Sequence, residues 1–319
     1  MPYLWAETVR EWRWVASSRL LLLLVGIALV FAGGSAAADA MNAGSAAEQF
    51  ANTASTYEAN GQSVGEALAA PVHVTPGAGG QSNIDNPVRY DYEAYVAAAA
   101  AMSPTGASLT ALSAAAFILV PVLAYILGVY VATHDLRSGA IIVRWPATHR
   151  AAGIVVGKML SLAAMVAVVV VVVAATAAVV GIAAPLWRPA LGGFEAAVEA
   201  APQPEWWTVA LLSSVLILVG AAFAAVGLLV ASITRERPFT ILLFAVPYFL
   251  LPLLGVADPR NLVPAAGQPW YLFVGGFQPQ VVGPLSVTTA VTTLIVACVV
   301  ATIGAGILWQ VRDKTPRAT

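Results

Sequence analysis

The stretch MLSLAAMVAVVVVVVAATAAVVGIAA, residues 159–184, decides the fold class of this 319-residue chain. It carries no charged side chain, and its Val-rich centre at residues 166–173 would by itself suit a buried β-strand. The whole run is too long for a strand, whereas the hydrocarbon core of a bilayer, roughly 30 Å thick, needs about 20 apolar helical residues. Length therefore predicts a membrane-spanning helix.

The composition extends this prediction to the whole chain. Apolar residues of the AVILMFWYC set make up 60% of the sequence and the mean hydropathy is +0.82. Charged residues contribute only 10%, compared with about 25% in ordinary globular proteins. These values exclude a water-soluble fold. The net charge of −1, with 15 Lys and Arg residues in total, also argues against nucleic-acid binding.

Charge-free runs of suitable length occur six times. We predict an all-α membrane protein with six transmembrane helices at residues 20–38, 109–133, 159–184, 208–232, 239–257 and 286–310. None of these spans contains an Asp, Glu, His, Lys or Arg side chain, and proton- or sodium-coupled carriers normally need one within the membrane. A secondary carrier is therefore disfavoured.

The distribution of Lys and Arg predicts the orientation. If the N-terminus is cytoplasmic, the inner segments hold 12 of the 15 basic residues: Arg10, Arg13, Arg19, Arg137, Arg144, Arg150, Lys158, Arg235, Arg237, Arg312, Lys314 and Arg317. We therefore expect a multi-pass protein of the plasma membrane with both termini in the cytoplasm, including a short tail at residues 311–319.

The segment before the first span, residues 1–19, is predicted to form an interfacial elbow helix. Trp5, Val9 and Trp12 would share one face of it, and charged residues such as Glu11 would lie elsewhere. The alternative is a cleaved secretory signal peptide, because basic residues, an apolar core and the small residues SAAADA follow one another.

Two outer segments are predicted. Residues 39–108 should form an extracytoplasmic helical cap, with helices at residues 45–69 and 88–102 and a Gly/Pro/Asn-rich loop, HVTPGAGGQSNIDNP, between them. Residues 258–285 are too short and interrupted to span the bilayer, yet they contain an apolar WYLFV motif. We expect an interfacial or re-entrant hairpin there that packs against the bundle.

The first cytoplasmic loop, residues 134–158, carries the most informative motif, HDLRSGAIIVRWPATHRAAGIVVGK. Asp135 is predicted to begin a helix that runs through Arg144, Pro146 would end it, and Thr148 could cap the next helix. A plain positive-inside connector is the alternative. It would explain the charges, but not the order of Asp, Gly, Pro, Arg and Gly-Lys.

That order resembles the first cytoplasmic loop of the permease subunits of type-2 ATP-binding-cassette (ABC) transporters. The matching positions are Asp135, Gly139, Pro146, Thr148, Arg150, Gly157 and Lys158. The sequence departs from the family pattern by having Asp135 in place of the commoner Glu and Ala140-Ile141 in place of Thr-Leu. By this resemblance, the residues that couple the chain to an ATPase are Asp135, Arg137, Gly139, Arg144, Pro146, Arg150 and Lys158.

The chain has no ATP site or catalytic site that we can identify. GIVVGKM at residues 153–159 is a poor phosphate-binding loop, because its glycine spacing is one residue short and Met159 replaces the magnesium-binding hydroxyl residue. His73, His134 and His149 lack metal-ligand spacing, and Cys298 is the one cysteine. We therefore expect no catalytic residue, cofactor or metal in this chain.

The resemblance implies a division of labour between chains. A separate cytoplasmic ABC ATPase dimer would bind ATP and Mg, and a second permease copy or a sister permease would complete the transport path. The expected function is export of a hydrophobic or amphiphilic substrate such as a drug, lipid or lipopeptide. The alternative is a non-transporting, ABC-linked assembly or sensor subunit whose outer domain binds another envelope protein.

Overall fold

The computed structural model describes residues 2–17, 19–76, 82–138, 151–186, 199, 202–251, 255–256, 258–274, 279 and 281–313. The helices of these residues are α1 (Pro2–Ser17), α2 (Leu20–Ala59), α3 (Val64–Ala69), α4 (Pro87–Ala101), α5 (Pro104–Phe117), α6 (Leu119–Ser138), α7 (Ala151–Ala183), α8 (Trp206–Thr234), α9 (Arg237–Leu250), α10 (Pro259–Gly267) and α11 (Val287–Asp313). A 3₁₀ turn, Ala184–Leu186, follows α7. A small antiparallel hairpin, β1 (Val74–Pro76) and β2 (Ser82–Ile84), interrupts the helical pattern.

Several of these helices can cross a bilayer. Four of them, α2, α7, α8 and α11, are long and apolar enough to do so, and α5 and α6 together form a fifth, bent candidate. The chain is thus an all-α, multi-pass membrane protein, with the hairpin as a minor addition.

The first span does not end where the apolar run ends. We predicted a span over residues 20–38 and a separate cap helix from Ser45, but α2 is one helix of 40 residues. Its second half is rich in Ala and contains no Pro, so the backbone has no reason to leave the helix at Asp39. The Asp39 carboxylate is buried and accepts a hydrogen bond from Thr110 Oγ1 at 2.6 Å.

The second span is broken. In place of one helix at residues 109–133, α5 and α6 meet at Ile118 with a bend of 53°. Pro121 explains the break, because a proline has no N–H to donate to the carbonyl four residues earlier and its ring clashes with that carbonyl. This carbonyl belongs to Phe117, and it accepts a hydrogen bond from the Tyr248 hydroxyl of α9.

The predicted fifth span, residues 239–257, contains a shorter helix. At about 1.5 Å per residue, the 14 residues of α9 cover only about 21 Å. Its last carbonyls are satisfied from outside the helix, because Arg260 Nη1 donates to the carbonyls of Tyr248 and Leu251. Arg260 lies in the first turn of α10, whose residues 261–267 are all buried, so this part of the outer segment packs into the bundle.

Helix α8 lies at the centre of the bundle and is the most buried of the long apolar helices. It crosses α6 at two glycines, where a side chain larger than hydrogen would have no room. A Cβ on Gly128 would lie 2.1 Å from the Ala224 carbonyl oxygen, and a Cβ on Gly227 would lie 2.4 Å from that of Tyr125. These glycines allow the two backbones to approach each other closely.

The cap is built on the second half of α2, which packs against α4. Asp91 of α4 is buried and accepts hydrogen bonds from Gln49 Nε2 at 2.8 Å and Thr53 Oγ1 at 2.6 Å. Phe50, Val64 and Val88 form a small apolar cluster beside this contact. The loop predicted at residues 73–87 contains the hairpin strands, and its residues 77–81 lie outside the described part.

Candidate functional site

The described residues of the predicted coupling segment are 134–138, at the end of α6, and 151–158, at the start of α7. Asp135 and Arg137 are in the last turn of α6, which continues to Ser138. The prediction that Asp135 begins a new helix is therefore wrong, because nothing between Thr133 and Ser138 breaks the helix. Four other predicted residues lie outside the described residues: Gly139, Arg144, Pro146 and Arg150.

Lys158, the remaining predicted residue, lies inside the bundle. It is in the second turn of α7 and its side chain is 0% exposed. Its ammonium group forms an ion pair with Glu11 of α1, with Nζ and Oε1 3.0 Å apart, and donates to the Val131 carbonyl of α6 at 3.2 Å. The Glu11 side chain is only 2% exposed. A coupling role for Lys158 must therefore be internal, since a docked protein could not reach it in this arrangement.

The amino-terminal helix α1 is held against the bundle by further contacts around this ion pair. Ser161 Oγ donates to the Thr8 carbonyl at 3.1 Å, one turn before Glu11. Trp14 stacks on His134, with ring centroids 4.0 Å apart. Because His134 is the first residue of the predicted coupling segment, α1 directly contacts the helical turn in which that segment begins.

The carboxy-terminal helix reaches the same point. The Lys158 ammonium lies 5.8 Å from the Trp309 ring centroid, within the range of a cation–π interaction. The Trp309 indole donates to Ser232 Oγ at 2.9 Å, which connects α11 to the end of α8. We refer to Glu11, Val131, Lys158, Ser232 and Trp309 as the Lys158 cluster.

Helix α9 begins beside this cluster and is fixed to α6. Arg237 Nε donates to Thr133 Oγ1 at 2.6 Å, and the guanidinium lies 4.6 Å from the Tyr130 ring centroid. A left-handed residue, Arg235, makes the tight turn between α8 and α9. Helices α1, α6, α7, α8, α9 and α11 thus meet at one end of the bundle.

This arrangement is suited to holding helix ends together. The charges of Lys158 and Glu11 are paired and removed from water, and hydrogen bonds and ring contacts fix the surrounding helices. In the described part of the chain, His, Cys, Asp and Glu do not come together in groups of three that could hold a metal ion. The site is therefore a junction between helices, and it includes α6 and α7, the helices that precede and follow residues 139–150 in the sequence.

The sequence patterns did not identify most of this junction. The sequence pattern places Glu11 away from the apolar face of an interfacial helix, and it uses Arg237 only to predict the orientation. It gives no role to Ser232 or Trp309. One signal is available for Glu11, namely that Trp12 and Trp14 closely follow this acidic residue. Its partner is 147 residues away, which local periodicity cannot reveal.

The opposite end of the bundle carries a second charged contact. Asp258 and Arg260, at the start of α10, form an ion pair with Arg260 Nη2 and Asp258 Oδ2 2.6 Å apart. Hydrogen bonding to Asp258 raises the pKa of Arg260, so this guanidinium keeps its charge. The pair joins the outer segment to the end of α9.

A comparison with protein families agrees with this architecture. The family model described as ABC-2 family transporter protein matches residues 5–282, which is most of the chain and extends from the first turn of α1 through α10. No curated protein matches the chain. The chain therefore belongs to the ABC-2 family of transporter proteins and is a membrane-embedded ABC permease subunit.

Proposed function

We propose that this permease exports a hydrophobic or amphiphilic substrate, such as a drug, lipid or lipopeptide, and that a separate ATPase subunit supplies the energy. ATP and Mg would bind to a cytoplasmic ABC ATPase dimer and not to this chain. A second permease copy or a sister permease would complete the transport path in the plasma membrane. The chain itself would catalyse no reaction.

The observation that carries this proposal is the position of the Lys158 cluster. It fixes the ends of α6 and α7 to α1 and α11, and the predicted coupling segment connects those two ends. A force applied to residues 134–158 would therefore reach several membrane helices together. Packed helices that move as a unit are the usual means by which hinge and shear motions are transmitted.

In this proposal, the ATPase contacts the part of the segment that precedes α7. Asp135, Arg137, Gly139, Arg144, Pro146 and Arg150 would form the docking surface. Lys158 would instead hold the following helix in place, because its side chain is buried.

We also propose six membrane crossings with both termini in the cytoplasm. The crossings are α2, the bent pair α5 and α6, α7, α8, α9 with the residues that follow it, and α11. The number of crossings depends on α9, because its length of about 21 Å is less than the thickness of a bilayer core, roughly 30 Å. Without this crossing, the two termini would face opposite sides of the membrane.

Cysteine labelling tests the topology. In a Cys298→Ser background, a cysteine introduced at Gly79 or Gly192 should react with an impermeant thiol reagent in intact cells. A cysteine at Ser138 or Thr315 should react only after permeabilisation. Labelling of position 138 from outside would overturn the orientation and the docking proposal. If only position 315 of these two were labelled from outside, the chain would have one crossing fewer than proposed, and the rest of the topology would stand.

Substitutions in the coupling segment test ATPase docking. We expect Asp135→Lys, Arg150→Glu or Gly139→Trp to leave the chain inserted but to reduce ATPase binding more than tenfold, because losing one buried interfacial charge partner costs about 2–5 kcal/mol. The measurement is co-purification with the ATPase from mild detergent and ATP turnover in lipid. Arg317→Glu, a charge reversal in the predicted tail, is the matched control. If all three variants bind like the control, the segment is only a connector.

The cap favours a second candidate function. Because α2 continues without a break into the cap, a movement of the bundle would also move the cap. An assembly or sensor subunit that holds another envelope protein would use this property. Reconstituted vesicles separate the two functions: ATP-dependent movement of an amphiphile across the bilayer supports export, whereas ATPase activity without any movement supports the second function.

A further inference from the structure

A cavity of about 210 Å³ lies between α8, α9, α10 and α11, away from the Lys158 cluster. Its wall is almost entirely apolar and includes Phe223, Leu243, Phe244, Tyr248 and Leu294. Phe244 stacks on Tyr248 with centroids 4.9 Å apart, and Phe223 meets both rings edge-on. These aromatic contacts fix the shape of the wall without filling the space.

The cavity opens sideways, between helices that carry apolar side chains on their outer surfaces. Val226 and Leu243 line it and are 36% and 46% exposed, and Pro247, which also lines it, is exposed as well. In a membrane protein such surfaces face hydrocarbon and not water. An opening with such an apolar rim is suited to admitting an acyl chain from the bilayer.

One end of the cavity is charged. The Asp258–Arg260 ion pair lies where α9 ends and α10 begins, next to Tyr248. Leu243 and Ala297 lie at the other end, deeper along α9 and α11. An elongated molecule with one polar end would accordingly place that end near Arg260 and its chain along Phe223 and Phe244.

We propose that this cavity binds one acyl chain of a bilayer phospholipid, which enters sideways between α8, α9 and α11 with its headgroup beside the Asp258–Arg260 pair. Tyr248 gives the site a connection to the bundle. Its ring forms part of the cavity wall, and its hydroxyl donates to the Phe117 carbonyl at the break between α5 and α6. A chain in the cavity therefore contacts the residue that holds the bend of the second span.

Photo-crosslinking tests this site without an ATPase or a transport assay, so the result does not depend on the proposed export function. The full chain is reconstituted in phosphatidylcholine vesicles that contain a phosphatidylcholine with a diazirine in one acyl chain. After irradiation, labelled peptides are identified by mass spectrometry. We expect labelling concentrated on residues 222–226, 243–248 and 294–297.

Two variants narrow the cavity from different sides. Ala297→Phe fills it from α11, and Val226→Phe obstructs the exposed opening, where a larger side chain has room to turn outwards. We expect labelling of the cavity peptides to fall about tenfold in each, equivalent to about 1.4 kcal/mol of binding free energy. Ala175→Phe, on an exposed position of α7, is the matched control and should leave the labelling unchanged.

The competing outcome is contact with the general lipid shell. Labelling spread evenly over the exposed faces of α2, α9 and α11, and unchanged in Ala297→Phe and Val226→Phe, would overturn the proposal. The same would follow if Ala175→Phe reduced labelling of the cavity peptides as strongly as the two cavity variants.

Discussion

Two groups of buried carboxylates near opposite ends of this helical bundle have different kinds of partners. At the Lys158 cluster, Glu11 is paired with a full positive charge from another helix. At the opposite end, Asp39 and Asp91 accept hydrogen bonds from neutral side chains, Thr110 for the first and Gln49 and Thr53 for the second. We refer to these two aspartates and their partners as the cap contacts. The Lys158 cluster is thus held by charge pairing, whereas the cap contacts are held by hydroxyl and amide donors.

The difference matters because substitutions in the two kinds of contact have different free-energy costs. Removing one partner of a buried ion pair leaves an uncompensated charge and typically costs about 3–5 kcal/mol, whereas removing both partners can cost little. Losing a neutral donor to a buried acceptor costs about 1–3 kcal/mol. The Lys158 cluster should therefore be more sensitive to single substitutions and more tolerant of matched double ones.

The largest effect is expected at Lys158. Lys158→Met or Glu11→Leu alone should lower the stability of the chain by about 3–5 kcal/mol, because each leaves the other charge buried. The double variant should regain most of that loss. Thermal unfolding in lipid nanodiscs, followed through a double-mutant cycle, gives the coupling between the two residues. Lys314→Met, in the predicted tail, is the control for removing a lysine charge.

Additive losses in the double variant would contradict this comparison. They would mean that the two side chains stabilise the bundle independently and that the ion pair does not hold α1 in place.

Lys158 and Glu11 show how much of the junction could be predicted from the sequence. The sequence identified Lys158 through the order Gly157-Lys158 before a long apolar run, but it placed Lys158 in a loop. Hydropathy registers a lysine as the end of a span, and it contains no information about a carboxylate 147 residues earlier that allows the lysine to be buried. Pairings between distant helices are set by tertiary packing, so the sequence pattern singled out Lys158 but predicted neither its burial in α7 nor its partner.

The same limit applies to the fold. Apolar length predicted a multi-pass helical chain, which is correct, because every backbone group inside hydrocarbon must be satisfied within a helix. Apolar length did not predict where helices end. Asp39 ends the apolar run but not α2, and Pro121 breaks a run that hydropathy treats as continuous. Helix boundaries depend on backbone propensity and on local partners such as Thr110 and Tyr248.

A smaller effect is expected at the cap contacts. Thr110→Val should lower stability by about 1–3 kcal/mol, because Asp39 then lacks the hydroxyl donor that is 2.6 Å away. Thermal unfolding in nanodiscs again gives the magnitude. Thr292→Val, at an exposed position of α11, is the matched control and should change stability by less than about 0.5 kcal/mol. A loss of stability as large as that of Lys158→Met would show that the Lys158 cluster and the cap contacts are equally sensitive to single substitutions.

The smallest effect is expected at an exposed contact of the cap. Asp85 accepts a hydrogen bond from the His73 backbone N–H at 2.7 Å, and its other carboxylate oxygen lies 3.0 Å from His73 Nδ1. The backbone hydrogen bond lowers the pKa of Asp85. A lowered pKa in the folded state means that the contact stabilises the hairpin above the ordinary Asp pKa of about 3.9 and loses that effect as the pH falls further.

We therefore expect the His73 amide to lose protection from hydrogen exchange, relative to its intrinsic rate, as the pH falls below about 4. Asp85→Asn should weaken the protection at neutral pH and remove most of its pH dependence, because the amide cannot be protonated in this range. Global unfolding should not change, since both side chains are more than half exposed, at 68% and 54%. Glu58→Gln, an exposed acid at the end of α2, serves as the control. A global loss of stability in Asp85→Asn would contradict this expectation. It would mean that the contact between Asp85 and His73 stabilises the whole chain, as the buried cap contacts do.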